Sequence, residues 1–154
     1  MSLYTILLFV HIVAIALWIG GGFMLALMGA RAAKDGPPVP QAVIKNLQFM
    51  EWLGPHFYAP VIVTTLVSGI WLVVESGIGF EHFFVLAGLL MAFLGAGMGI
   101  GFFVPQAKAL MAHLNEKGLD AEAQARMKTI SLVSKAMLVL LVLTVYVMTN
   151  KPFS

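Results

Sequence analysis

The sequence predicts an all-α polytopic membrane protein, with four transmembrane helices in an antiparallel bundle and both the N-terminus and the C-terminus outside. Three observations carry that prediction. Hydrophobic residues make up 60% of the 154 and charged residues 10%, against about 45–50% and about 25% in ordinary soluble domains. Four apolar runs come close to or exceed the roughly 20 residues needed to cross a bilayer. Seven of the nine cations lie in two of the three connections, with Lys151 at the C-terminus the dissenting charge, and this is the asymmetry that sets orientation.

The first span is predicted over about 4–30, with no charge inside it. Its opening, Met-Ser-Leu-Tyr-Thr, lacks a basic n-region, and the run far exceeds the 7–15 residues of a signal-peptide core, so this helix is expected to be retained. The next connection carries Arg31, Lys34 and Lys45. Gly36-Pro37-Pro38 stops helix one there, and Pro40 suits the first turn of a new helix. Residues 41–53 read as a short helix, interrupted at Gly54-Pro55, that leads into the second span at about 57–74. The link from Glu75 to Glu81 has no Lys or Arg. The third span covers about 83–104 and is expected to kink at Pro105 and project an amphipathic segment to Lys117, closed by Gly118. Lys108, Lys117, Arg126 and Lys128 mark that second long connection as cytoplasmic. Asp120 is the expected N-cap of the helix that holds the fourth span, about 130–149.

Composition also excludes chemistry. With no cysteine, disulfides, thiolate metal sites, cysteine nucleophiles and covalent haem attachment are absent. The net charge of +2 and pI near 9.1 reflect membrane orientation rather than a nucleic-acid partner. The Gly95-Ala-Gly-Met-Gly-Ile-Gly101 string lies inside a span with no strand before it, so it is not a nucleotide fingerprint.

His11 is the most informative residue, because an ionisable side chain inside a span is costly and points to function. Eight residues into its helix, it is expected roughly 12 Å below the outer surface. Trp18, Gly21 and Gly22 share its face, and a histidine, a flat aromatic and bare backbone on one stripe suit a large planar ligand. The alternative is that His11 bonds a neighbouring helix while the glycines allow close packing. Depth counting puts His11 level with Leu89 to Met91 on the third span and with Leu140 on the fourth, which makes Met91 and Met137 candidate second metal ligands. His56 and His82 fall about 10 Å or more away by the same count. Lys135, inside the fourth run, either snorkels to the interface or pairs with an anion such as a haem propionate or Glu51. His56 and Tyr58 offer an entry or proton-transfer cluster beside it, or simple interfacial anchors. Gly95 and Gly99, with the overlapping pair Gly97 and Gly101, form close-approach motifs for a helix, a homodimer or a partner subunit. Thr64, Thr65 and Ser68 read as hydrogen-bonding glue.

His11-x(6)-Trp18 followed by Gly20 and Gly21 resembles the opening helix of the HemJ-type membrane protoporphyrinogen oxidases. The closing Met148-x-x-Lys151-Pro152, with Pro60 to Gly69 and Pro105, resembles a broad family of uncharacterised bacterial integral membrane proteins related in layout to the CopD copper-resistance proteins. The first resemblance implies b-type haem on His11. The sequence departs from the oxidases in having neither their Trp-x(3)-Lys-like pattern in helix three nor their Asn-Glu-x-Pro-Thr stretch in helix four. The expectation is therefore a bacterial inner-membrane protein holding haem b through His11, for electron transfer or haem and porphyrin chemistry, with a redox partner or quinone beside it. The competing expectation is a cofactor-free accessory subunit or small-solute transporter.

Overall fold

The computed structural model describes residues 2–32 and 40–150; the Gly36-Pro37-Pro38 break, Lys34 and the Lys151-Pro152 ending lie outside them. Six α-helices follow in order: α1 (Leu3–Ala32), α2 (Pro40–Leu53), α3 (Ala59–Ser76), α4 (Phe83–Met98), α5 (Val104–Lys117) and α6 (Ala121–Asn150). Four continuous helical rods result, Leu3–Arg31, Pro40–Ser76, Phe83–Lys117 and Ala121–Asn150, each long and apolar enough to cross a membrane.

The expected interruption at Gly54-Pro55 is instead a π-helical turn, Gly54–Tyr58, that joins α2 to α3 without a break. A second π turn, Gly99–Phe103, joins α4 to α5 just before Pro105. Proline has no N–H to donate and its ring collides with the carbonyl four residues back, and a widened turn accommodates both defects while the helix continues. In each turn the bond reaches back five residues, from Ala59 N–H to the Gly54 carbonyl and from Val104 N–H to the Gly99 carbonyl. The short connections begin on glycines with positive φ, Gly77 at 68° and Gly118 at 74°, where a Cβ would be strained. Asp120 caps α6 as expected, its Oδ1 accepting from Ala123 N–H at 2.8 Å.

Spanning helices pack in a ring, α1 on α3, α3 on α4, α4 on α6 and α6 back on α1, the arrangement of an up-down-up-down bundle. Facing residues confirm the antiparallel sense: His11 meets Gly69 near one end of the α1–α3 seam and Phe57 meets Gly21 near the other. The core of the membrane part is a layer with one side chain from each helix, Trp18, Val61, Met91 and Leu141. A separate core lies beyond the π turns, where Val43 and Leu47 of α2, Ala107, Leu110 and Leu114 of α5 and Ala123 of α6 pack together.

The outside is apolar, with Phe9, Phe23, Val63, Leu90, Phe93, Ile100 and Leu132 all more than half exposed. Such a surface belongs in lipid. Trp52 and Trp71, both about half exposed, stand on the same rod nineteen residues apart. At about 1.5 Å per residue this is roughly 28 Å, close to the thickness of the hydrocarbon core. Interfacial aromatic residues thus bracket the part of the bundle that crosses the bilayer.

Candidate functional site

His11 lies on the α1–α3 seam, half-buried, with its ring against the bare backbone of Gly69. A Cβ at Gly69 would stand 2.9 Å from His11 Cε1, so only glycine lets the imidazole seat there. His11 Nδ1 is 3.0 Å from Ser68 Oγ. The Ser68 hydroxyl is already committed to the Thr64 carbonyl at 2.6 Å. A hydroxyl has one proton, so the ring nitrogen is the donor and Ser68 Oγ the acceptor. This places the imidazole proton on Nδ1 and the lone pair on Nε2, the tautomer a ligating or proton-accepting histidine requires. Thr65 contributes beneath, buried and closed on itself through a 2.8 Å bond from its hydroxyl to the Val61 carbonyl.

The other members of the expected stripe are occupied by the protein itself. Trp18 is buried, and its indole lies against Gly95, where a Cβ would fall 2.4 Å from Cζ2. Phe57 fills the notch at Gly21, with Cε1 2.7 Å from an ideal Cβ and the Tyr58 hydroxyl at 3.2 Å. Leu138 covers Gly22 at 3.2 Å. The flat surface offered by the sequence thus carries aromatic and aliphatic side chains of neighbouring helices.

Depth counting is corrected for the fourth span. Leu138 lies opposite Gly22 and Met148 opposite Gly88, while Trp18 lies opposite Gly95, seven residues on from Gly88 just as Trp18 is from His11. His11 is therefore level with Gly88 and Met148, not with Leu140, because α6 docks where Leu138 and Leu141 fill the space around Gly22 and Trp18. Met91 is 5% exposed and packs in the Trp18 layer, with Met137 against it. Lys135 is exposed on α6. Glu51, its possible partner by sequence, pairs with Lys108 at 3.6 Å. His56 stacks on Trp52 with centroids 4.7 Å apart and donates from Nδ1 to the Trp52 carbonyl at 2.8 Å. Its partners are thus on Trp52, while the Tyr58 hydroxyl lies at Gly21. Among the described residues, no three His, Asp or Glu side chains converge to hold a metal ion.

Residues 5–152 match the sequence model of the family described as predicted integral membrane protein, DUF2269. The chain belongs to the DUF2269 family. No curated protein and no solved structure matches it.

One polar group in this DUF2269 protein was invisible from sequence. His113, near the end of α5, donates from Nε2 to Asp120 Oδ1 at 2.8 Å, while its Nδ1 lies 3.9 Å from Glu122 Oε2. Glu122 in turn receives Arg126 at 3.0 Å. The Asp120 carboxyl is held below its ordinary pKa chiefly by the Ala123 N–H, then by His113. The available signal was a histidine seven residues before a helix-capping aspartate, across a glycine turn that folds the two together. The cluster ties α5 to α6 outside the bundle.

Proposed function

We propose that this protein is a haem-free accessory subunit of the bacterial inner membrane, associating with a second copy or a partner subunit through the outward face of α4. The observation that supports this is that Gly95 of the expected Gly95/Gly99 pair faces the bundle and is not free for a partner, whereas Gly99, like Gly97 and Gly101, has nothing within 4 Å of an added Cβ. Gly95, with Trp18 pressed on it, serves the bundle interior. Gly97 and Gly101 are exposed, with nothing within 4 Å of an added Cβ. They share their side of the rod with Leu90, Phe93 and Ile100, which are 63–79% exposed. Between helices in lipid, close backbone approach is a main source of association. Cross-linking and sedimentation in nanodiscs test the reading: Gly97→Leu with Gly101→Leu dissociates the assembly while the monomer keeps its thermal midpoint. A wild-type chain that is strictly monomeric and captures no membrane partner overturns it.

A second reading keeps His11 as an axial ligand of b-type haem, and one observation favours it. Ser68 holds the imidazole proton on Nδ1, and a hydrogen bond from the far ring nitrogen is what orients metal-ligating histidines. The space around it does not fit a porphyrin as packed, since Phe57 and Leu138 occupy the glycine notches and Trp18 is in the core. The Nε2 lone pair is the support for this reading, and no reaction step follows from it. Visible absorption separates the two readings. A Soret band after haem supplementation, lost in His11→Ala, supports the second; a featureless spectrum removes it.

A further inference from the structure

We infer that the lipid-facing groove between α1 and α3 binds the carbonyl-bearing ring of a membrane-soluble quinone, with Thr64 as its hydrogen-bond donor. The groove has a volume of about 230 Å³ and is lined by Phe9, Val13 and Leu17 of α1 and by Pro60, Val61 and Thr64 of α3, among others. That is below the roughly 300–1,000 Å³ of drug-sized sites, so it holds one ring or a length of chain. The groove is apolar except at Thr64. Five of the six threonines bond their hydroxyls: Thr65, Thr129, Thr144 and Thr149 each donate to the carbonyl four residues back, and Thr5 bonds Ser2. Thr64 alone is left with a free hydroxyl. In hydrocarbon an unmade hydroxyl bond is costly, and no water is present to supply one.

Depth selects the occupant. Thr64 lies seven residues below Trp71 on the same helix, about 10 Å beneath the interfacial aromatic level. Phospholipid ester carbonyls stay at that interface, and the acyl chain that follows them carries no acceptor. A molecule that brings a carbonyl to this depth must be apolar enough to dissolve in the bilayer core, flat enough for an open groove and able to accept a hydrogen bond at a ring edge. A quinone combines these properties. The groove takes no residue from α4 and adjoins the His11 network, since the Thr64 carbonyl accepts from Ser68; its test reads neither haem nor assembly.

The full chain in phosphatidylcholine nanodiscs is titrated with menadione and, separately, with methylnaphthalene, its carbonyl-free parent, each corrected for uptake into empty discs. Menadione is expected to saturate at one per chain, and the hydrocarbon to show only partitioning. Thr64→Val, nearly isosteric and lipid-facing, weakens menadione binding about five- to tenfold, the effect of one hydrogen bond. Thr64→Ser retains binding, and Leu17→Trp, which fills the groove, abolishes it. Equal behaviour of the two compounds, absence of saturation, or binding untouched by Thr64→Val overturns the assignment and leaves the groove to lipid chains.

Discussion

Replacing Gly95 by alanine places a methyl group where the Trp18 indole already lies. An ideal Cβ there would stand 2.4 Å from Cζ2 and 2.9 Å from Cη2, well inside the 3.5–4.0 Å of a relaxed carbon pair. Trp18 is 8% exposed and shares its layer with Val61, Met91 and Leu141, so the ring has no free volume to retreat into. Overpacking of this kind costs about 1–3 kcal/mol, which is roughly a five- to 150-fold shift in the folding equilibrium. Gly20→Ala, inside α1 and outside the proposed assembly face, meets nothing within 4 Å and provides the control, because the change in helix propensity is the same. Thermal unfolding in a mild detergent, followed by tryptophan fluorescence, is expected to show a lowered midpoint and a red-shifted folded spectrum for Gly95→Ala only. Equal midpoints for the two variants would refute the packing of Trp18 against α4.

Three further outcomes are expected. Leu110→Ala empties a fully buried site in the α2–α5–α6 core and should cost about 2–5 kcal/mol; hydrogen exchange should rise in α2 and α5 while the Trp18 layer stays protected, and uniform loss of protection would show that the two cores are not separable. In Ser68→Ala, nitrogen chemical shifts of the His11 ring should lose the single Nδ1–H tautomer expected of wild type, and an unchanged spectrum would exclude Ser68 as the group that sets it. Asp120 has a depressed folded pKa, so its contribution is complete above its unfolded value near 3.8 and disappears as pH falls through the lower folded value. Helicity at the start of α6 should therefore decline only in strong acid, and Asp120→Ala should remove that acid dependence while weakening the cap at neutral pH.

The fold was legible because lipid leaves few options for a backbone: four apolar runs, two basic connections and the cap at Asp120 are consequences of solvent and charge that a linear reading captures. Proline was less legible. Gly54-Pro55 reads as a stop, yet flanking helix-forming sequence carries the rod across it through a widened turn, a tertiary choice that local propensity does not contain. The site was legible in its members and not in their neighbours. His11, Trp18, Gly21 and Gly22 do line one side of α1, but Phe57, Leu138 and Gly95 come from other helices whose axial offsets depend on which notch accepts which side chain. The same offset explains the misplaced level on α6. His113 was missed because its partner is reached only after the Gly118 turn has reversed the chain.

The two π turns act as phase shifters. One residue added to an α-helix advances every later side chain by about 100° around the axis. In the rod from Phe83 to Lys117, the stripe of Ala107, Leu110 and Leu114 is aimed at α2 by the extra residue in Gly99–Phe103. Deleting a single residue there would rotate this stripe by more than a quarter-turn while leaving α4 seated in the bundle. The membrane part and the part beyond the π turns are thus two separately packed bodies on shared axles, keyed to each other by one inserted residue in each of two rods.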